Sequence, residues 1–217
     1  MLQVPVQQGL GDVSVIRLGW TKPDFWGSYY NGCKLKTPKP AKVSRFGVCL
    51  KAMIVNNSKL IYLHGLEGTS QGVKAVLLRG HFPHILTPDL RGSLDERMAS
   101  LHAILGDQAG WTIIGSSFGG LMAAMFACQR PQQVEKLVLL APALIWPDFA
   151  SAPPAAVDVP TLIYHGSRDV IIPLAMVRPL AERVFQVLDF HVVDDDHGLY
   201  KTMHEIDWPA LIGISAG

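Results

Sequence analysis

The feature that most constrains the fold is a series of short apolar runs, alternating with helix-like segments, after residue 58. The runs are KLIYLHG (59–65), HILTPDLRG (84–92), WTIIG (111–115), VEKLVLLAPAL (134–144), PTLIYHG (160–166) and QVLDFHVV (186–193). Continuous apolar runs are typical of parallel strands that are covered on both faces. We therefore predict an α/β fold with a mostly parallel central sheet and helices on both faces.

Segments rich in helix-forming residues separate the apolar runs and predict the helices. They lie near 71–79, 94–105, 119–130, 173–184 and 200–214, the fourth with Pro179 inside it. In parallel sheets of this kind the reactive groups lie beyond the carboxyl ends of the strands. The residues that follow each strand are therefore the first candidates for function.

The first 57 residues differ in composition from the rest of the chain. They mix aromatic, Pro, Gly and Lys residues without a sustained period, although short strands are possible at 13–18 and 45–50. Basic residues outnumber the acidic Asp12 and Asp24; they are Arg17, Lys22, Lys34, Lys36, Lys39, Lys42, Arg45 and Lys51. We interpret 1–57 as an atypical N-terminal segment, more consistent with a solvated loop than with a docking arm. Residues 58–217 are predicted to carry the chemistry of a single-domain protein.

Composition excludes several classes of protein. Of the 217 residues, 49% are hydrophobic and 17% are charged, which suits a compact globular chain. A formal net charge of +1 gives no reason to expect nucleic acid or an anionic membrane as partner. No apolar stretch reaches the roughly 20 residues needed to cross a bilayer. The start of the chain lacks signal-peptide features, and Cys33, Cys49 and Cys128 lack ligand spacing, so a cytoplasmic protein with reduced thiols is expected.

A G-x-S-x-G stretch, Gly115-Ser116-Ser117-Phe118-Gly119, directly follows the third predicted strand. A serine at a sharp strand-to-helix turn needs almost side-chain-free neighbours two residues away on either side. Ser117 meets this requirement, whereas Ser116 has Ile114 and Phe118 at those positions. We therefore predict that Ser117 is a nucleophile.

A nucleophilic serine needs a base and an orienting acid, which in this strand–turn–helix arrangement follow in the order Ser, Asp or Glu, His. Asp169 comes just after the fifth apolar run, and His197 comes just after the sixth. They are the predicted acid and base, with Asp148 as the alternative acid. His64 and His165 also follow strands, but their places in the chain order favour structural roles. The remaining histidines lie in turns, helices or a strand; they are His81, His84, His102, His191 and His204.

Two further features surround these residues. Asp194, Asp195 and Asp196 precede His197 in the manner of metal ligands, but no second His or Cys has ligand spacing, so a solvated acidic loop is favoured over a metal site. The mechanism also needs backbone N–H groups for an oxyanion. We predict that Phe118, after the nucleophile, and Leu66, in the loop after the first strand, supply them.

From about Leu60 onward the chain resembles the α/β-hydrolases. It carries YLHGLEG, PDLRG, GSSFGG, HGSRDVIIP and DDDHG in the family's order, and its size and spacing are similar to small bacterial YqiA-like esterases. The resemblance implies Ser117 as nucleophile, Asp169 as acid, His197 as base, and Leu66 and Phe118 as oxyanion donors. The chain differs from the family in residues 1–57, which poorly match the family's opening strand pair. It also differs in the short connection at 145–159, where many relatives insert a helical lid.

The resulting expectation is a lid-poor serine esterase that cleaves short-chain carboxylic esters through an acyl-serine, without a cofactor. Its partner is a small-molecule ester, and nothing in the sequence indicates an oligomeric state. An acyl thioesterase is the alternative enzyme. A catalytically silent binding protein on the same fold is the alternative of another class.

Overall fold

The computed structural model describes residues 59–213. In this part of the chain five strands form the sheet: β1 (Lys59–Leu63), β2 (Trp111–Ser116), β3 (Val134–Leu140), β4 (Thr161–Gly166) and β5 (Leu188–Val193). The helices are α1 (Val73–His81), α2 (Leu94–Leu105), α3 (Phe118–Gln129), α4 (Pro147–Ala150), α5 (Leu174–Val184), α6 (Tyr200–Glu205) and α7 (Trp208–Ile212), and a 3₁₀ turn at Pro131–Gln133 precedes β3. The predictions for residues 1–57, including the two short strands and the domain boundary, lie outside the described residues.

The five strands are all parallel and lie side by side in chain order, β1-β2-β3-β4-β5. Successive residues of the inner strands point to opposite faces. In β3, Leu137 and Leu139 belong to one buried apolar cluster, whereas Val138 and Leu140 belong to the other. Helices α2, α3 and α5 cover the first face, and α1, α6 and α7 cover the second. The predicted α/β fold, with a parallel sheet covered on both faces, is confirmed.

The segment at 84–92 is less regular than its apolar run predicts. It forms a single bridge beside β1, in which Tyr62 donates to the Leu86 carbonyl at 2.8 Å and Leu86 donates to the Leu60 carbonyl at 2.9 Å. Pro83 and Pro88 bracket this bridge. Because proline has no N–H and disfavours continued pairing, the segment cannot extend into a full strand.

The C-terminal segment forms two helices where one was predicted. Helix α6 ends at Glu205, and α7 begins at Trp208 after Ile206 adopts an extended conformation. Pro209 cannot donate to a carbonyl one turn earlier, and the Asp207 carboxylate accepts from the Ala210 N–H at 3.2 Å as an N-cap. The proline and the cap together break the helix.

Glycine is required at the turn between β2 and α3. A Cβ on Gly119 would collide with the carbonyl oxygen of Leu63, and one on Gly115 would lie 2.5 Å from the carbonyl oxygen of Gly119. Both obstacles are backbone atoms, which cannot rotate away as a side chain can. Helix α3 therefore passes directly over β1 and β2, and it is buried along most of its length.

We expect Gly119→Ala to lower the free energy of unfolding by about 3 kcal/mol or more, at the upper end of the usual cost of overpacking. Urea unfolding measures this change. Gly80→Ala is the matched control, because Gly80 lies in α1 with open space around its Cβ position. That control should gain roughly 0.5–1 kcal/mol from helix propensity. Wild-type stability in Gly119→Ala would refute the close approach of α3 to β1.

Candidate active site

Ser117 occupies a strained turn between β2 and α3. Its backbone has φ 54° and ψ −116°, a region that non-glycine residues rarely adopt. Backbone hydrogen bonds hold this conformation: the Ser117 N–H donates to Leu140 at 2.9 Å, and the Ser117 carbonyl accepts from Ala143 at 3.0 Å. The Ser117 side chain stays partly exposed, whereas Ser116 is buried. The turn thus presents Ser117, and not Ser116, to solvent.

The structure brings the three predicted side chains, Ser117, His197 and Asp169, into one hydrogen-bonded series. His197 Nε2 lies 3.1 Å from Ser117 Oγ, and His197 Nδ1 lies 2.8 Å from Asp169 Oδ2. An ionised carboxylate only accepts hydrogen bonds, so Nδ1 donates to Asp169, and Nε2 of a neutral ring can accept the serine proton. This geometry permits proton transfer from Ser117 to His197.

Asp169 is fixed on both of its carboxylate oxygens. Its Oδ1 accepts hydrogen bonds from the backbone N–H groups of Ile171 at 2.9 Å and Ile172 at 2.8 Å. Burial acts to raise the pKa of the Asp169 carboxyl, but the hydrogen bond from His197 and the Ile172 N–H outweigh it, so the pKa lies below its usual value. Asp169 is therefore an oriented, ionised partner for His197.

Asp148, the alternative acid, lies elsewhere. It is exposed on α4 and makes no hydrogen bond or ion pair with any residue of the described range 59–213. Since Asp169 contacts His197 directly, the geometry favours Asp169 over Asp148 as the orienting acid.

The acidic run before His197 is more ordered than a solvated loop. Asp194 forms an ion pair with Arg168. The buried Asp195 accepts from the Thr202 N–H and hydroxyl, both at 2.9 Å, and Asp196 accepts from the Gly198 N–H at 2.7 Å. These carboxylates shape the turn that carries His197. Within residues 59–213, no group of three or more His, Cys, Asp or Glu side chains is placed to hold a metal ion.

Leu66 and Phe118, the predicted oxyanion donors, flank the same turn. The loop after β1 packs on the serine, because a Cβ on Gly65 would lie 3.4 Å from Ser117 Cβ. Phe118 is the first residue of α3, so its N–H has no intrahelical acceptor. In residues 59–213 neither N–H donates a hydrogen bond, which leaves both available to a ligand.

His64 fixes the loop that carries Leu66. Its Nδ1 lies 2.7 Å from the Gly65 carbonyl, and its Nε2 lies 3.1 Å from the Leu90 N–H. Burial lowers the pKa of His64, and the two contacts require a neutral ring that donates from Nδ1 and accepts at Nε2. This matches the structural role predicted for His64.

Two long basic side chains near the site were not predicted. Lys74 on α1 donates to Ser116 Oγ at 2.8 Å, and burial lowers the pKa of its ammonium to about 8. Arg97 on α2 donates to the Leu66 carbonyl at 3.1 Å. Each lies four residues before a buried leucine, Leu78 or Leu101, and therefore on the inward face of its helix. That spacing is the one sequence signal for them.

Comparisons with known proteins agree with this architecture. A family model described as alpha/beta hydrolase fold matches residues 87–157. The chain is similar to an esterase of Pyrococcus furiosus, Pf2001, with TM-score 0.59, 18% identity and coverage of 73% of this chain and 82% of that one. It is also similar to Est1E of Butyrivibrio proteoclasticus, with TM-score 0.57, 17% identity and coverage of 75% and 92%. The chain has the fold of the α/β-hydrolases, and these matches support that superfamily.

One curated relative is closer in sequence but matches less of the chain. Lipase LipV of Mycobacterium tuberculosis is 34% identical over 101 residues, which are 40% of this chain and 38% of that lipase. The match thus spans about two fifths of the relative's length. These relatives support the α/β-hydrolase superfamily as a whole, and the narrower likeness to YqiA-like esterases stays a prediction.

Proposed function

We propose that this α/β-hydrolase cleaves carboxylic esters through an acyl-serine intermediate on Ser117. The observation that carries the proposal is the hydrogen-bonded series of Ser117, His197 and Asp169, which follow the carboxyl ends of β2, β5 and β4. The names of the relatives, a lipase and two esterases, support the same class of reaction. In the described part of the chain no helix has the length and apolar character of a membrane span.

The proposed first step forms the acyl-enzyme. As Ser117 Oγ attacks the ester carbonyl carbon, its proton passes to His197 Nε2, and the carbonyl oxygen becomes an oxyanion facing the Leu66 and Phe118 N–H groups. The tetrahedral intermediate then collapses. The C–O bond to the alcohol breaks, and the alcohol leaves with the proton from His197.

Water completes the cycle. His197 takes a proton from the water, whose oxygen attacks the acyl carbon, and the second tetrahedral intermediate releases the carboxylic acid as Ser117 recovers its proton. Asp169 holds Nδ1–H throughout and stabilises the imidazolium that forms in each half-reaction. No step requires a cofactor.

A fluorophosphonate probe tests this proposal, because the reagent reacts only with an activated serine. We expect stoichiometric labelling, with the modification mapped to the peptide that contains Ser117, together with hydrolysis of p-nitrophenyl acetate. If neither reaction occurs, the result would favour the alternative of a catalytically silent binding protein on the same fold. Labelling combined with faster cleavage of thioesters than of matched oxygen esters would favour the thioesterase alternative.

The connection between β3 and β4 argues for short acyl chains. Its described helix, α4, has four residues, so no helical lid is formed between 141 and 160. Phe149 on α4 is buried in the core, so its ring offers no surface to a substrate. Trp146 is partly exposed and packs edge-on against Phe118 with ring centroids 5.0 Å apart. We propose that Trp146 forms a small apolar wall beside the serine.

We expect kcat/KM for p-nitrophenyl esters to peak at roughly two to six carbons, because each further methylene gains about 0.8 kcal/mol only where a wall covers it. The series from acetate to palmitate, measured below and above the solubility limit, tests this expectation. Trp146→Ala should weaken the preference for butyrate over acetate. A maximum at twelve or more carbons, or a jump in rate with emulsified substrate, would contradict it and indicate a lipase-like groove.

A further inference from the structure

Arg97 is a buried arginine with no carboxylate of the described residues in ion-pair contact, and the exposed Glu67 acts on its charge only from a greater distance. Its residue is 4% exposed, and no ion pair joins it to an acidic group in residues 59–213. Its Nε–H donates to the Gly92 carbonyl at 2.9 Å and its Nη2–H to the Leu66 carbonyl at 3.1 Å. The remaining nitrogen, Nη1, is buried and has no hydrogen-bond partner among the described residues.

The side chain touches both residues proposed to bind the oxyanion. Besides the hydrogen bond to the Leu66 carbonyl, the guanidinium carbon of Arg97 lies 5.2 Å from the centre of the Phe118 ring. This is within the range of a cation–π contact. One planar group therefore joins the loop after β1 to the start of α3, the two segments that supply the oxyanion donors.

Considered for stability alone, the buried charge and unpaired Nη1 of Arg97 are unfavourable. A buried charge with an unsatisfied N–H costs free energy, and replacing such a group with a well-packed apolar side chain is often neutral or stabilising. A guanidinium stays protonated in proteins, so Arg97 cannot avoid this cost by losing its proton. Its location instead favours the negative charge that develops on a substrate carbonyl oxygen bound by Leu66 and Phe118.

We propose that Arg97 is a positioning residue for the oxyanion site, an inference that rests on the ester hydrolysis proposed for Ser117. Its guanidinium sets the relative placement of Leu66 and Phe118, and its positive charge makes that site more favourable for an oxyanion than for a neutral carbonyl. The consequence is selective stabilisation of the transition state, with little effect on binding of the intact ester.

Arg97→Met tests the proposal because methionine fills similar space without charge or donors. We expect kcat to fall roughly 10- to 100-fold, somewhat less than the 10²- to 10³-fold loss caused by removing an oxyanion donor outright. KM for p-nitrophenyl acetate should change less than about threefold, since ground-state binding is untouched. Because this variant also removes the hydrogen bonds to the Gly92 and Leu66 carbonyls, the midpoint of urea unfolding should fall only slightly, whereas a purely structural role predicts a loss of stability that matches the loss of activity.

A boronic acid gives a second readout, because it forms a tetrahedral anionic adduct with the serine. Its affinity should fall in Arg97→Met by the same factor as kcat/KM. Arg97→Lys keeps the charge but not the planar fork, and should give intermediate values for both. Arg178→Met is the matched control: Arg178 also lies over a phenylalanine ring, 4.4 Å from Phe190, but it is partly exposed and lies outside the site. It should keep the wild-type kcat and inhibitor affinity.

The outcomes separate the two proposals. Wild-type kcat and boronic acid affinity in Arg97→Met would overturn the role of Arg97 while leaving the proposed esterase intact. Loss of activity with a matching loss of stability in both Arg97 variants would assign Arg97 to structure alone. An inactive wild-type protein that is not labelled at Ser117 would overturn the proposed function, and the role of Arg97 with it.

Discussion

Ser117→Ala and His197→Ala should each abolish measurable ester hydrolysis. In a serine protease, removing the serine or the histidine of the catalytic triad lowers kcat roughly 10⁶-fold, which raises the activation barrier by about 8 kcal/mol. We expect a similar scale here because the 3.1 Å contact between His197 Nε2 and Ser117 Oγ is the one path for the serine proton in the proposed mechanism. Ester hydrolysis and fluorophosphonate labelling measure the two variants.

Ser116→Ala is the matched control for Ser117→Ala. Ser116 is buried and its hydroxyl is occupied by Lys74, so it cannot attack a substrate, and the variant should retain most of the activity. The double variant Ser117→Ala/His197→Ala should be no less active than either single variant, because the two residues act as one unit. Comparable turnover in Ser117→Ala and wild type would end the proposed mechanism.

The sheet and the positions of Ser117, Asp169 and His197 could be predicted because both follow from local patterns. Parallel strands buried on two faces are continuous apolar runs, and their carboxyl ends meet at one edge of the sheet. The G-x-S-x-G spacing reports a backbone requirement, seen in the structure as the contacts that exclude a side chain at Gly115 and Gly119. Each of these positions could therefore be predicted from the few residues around it.

The supporting residues could not be assigned in the same way. Arg97 and Lys74 are long polar side chains on helices, which sequence patterns place at the surface by default, and their partners lie 31 and 42 residues away. Asp195 was expected to be solvated with its neighbours, but its burial depends on Thr202, which α6 brings beneath it. Such contacts depend on how elements pack and leave at most a weak periodicity in the sequence.

Two errors at element ends have the same origin. Prolines 83 and 88 reduce the second apolar run to a single bridge, and Pro209 divides the last helix, although hydrophobic patterning continues through both segments. These boundaries depend on backbone N–H donors, which proline lacks. A pattern of hydrophobic residues carries no information about a missing N–H. That residues 58–217 carry the chemistry without the segment 1–57 remains a prediction, because residues 1–57 lie outside the described range.

Asp169→Asn should lower kcat by roughly 10⁴-fold while leaving the fold intact, as the equivalent change does in a serine protease. The reason lies in the different partners of the two carboxylate oxygens. Oδ1 accepts two backbone N–H groups, from Ile171 and Ile172, so the amide oxygen of an asparagine must take this position. The amide NH₂ then replaces Oδ2 and faces His197 Nδ1.

That exchange reverses the tautomer of the histidine. Because an NH₂ group donates, Nδ1 of His197 must accept, and the ring proton moves to Nε2. Nε2 then has no lone pair for the proton of Ser117, although all heavy atoms stay in place. The predicted loss corresponds to about 5.5 kcal/mol of barrier. Asp148→Asn, at the exposed alternative acid on α4, is the matched control and should keep the wild-type rate.

Steady-state hydrolysis of p-nitrophenyl acetate and the rate of fluorophosphonate labelling should fall together in Asp169→Asn, since both need the serine to lose its proton. KM and the urea unfolding midpoint should change little, because the amide preserves the two backbone hydrogen bonds and the volume of the side chain. A rate within tenfold of wild type would show that His197 does not depend on Asp169 for its tautomer. Loss of activity in Asp148→Asn instead would move the role of the acid to α4 and require a different position for the histidine during catalysis.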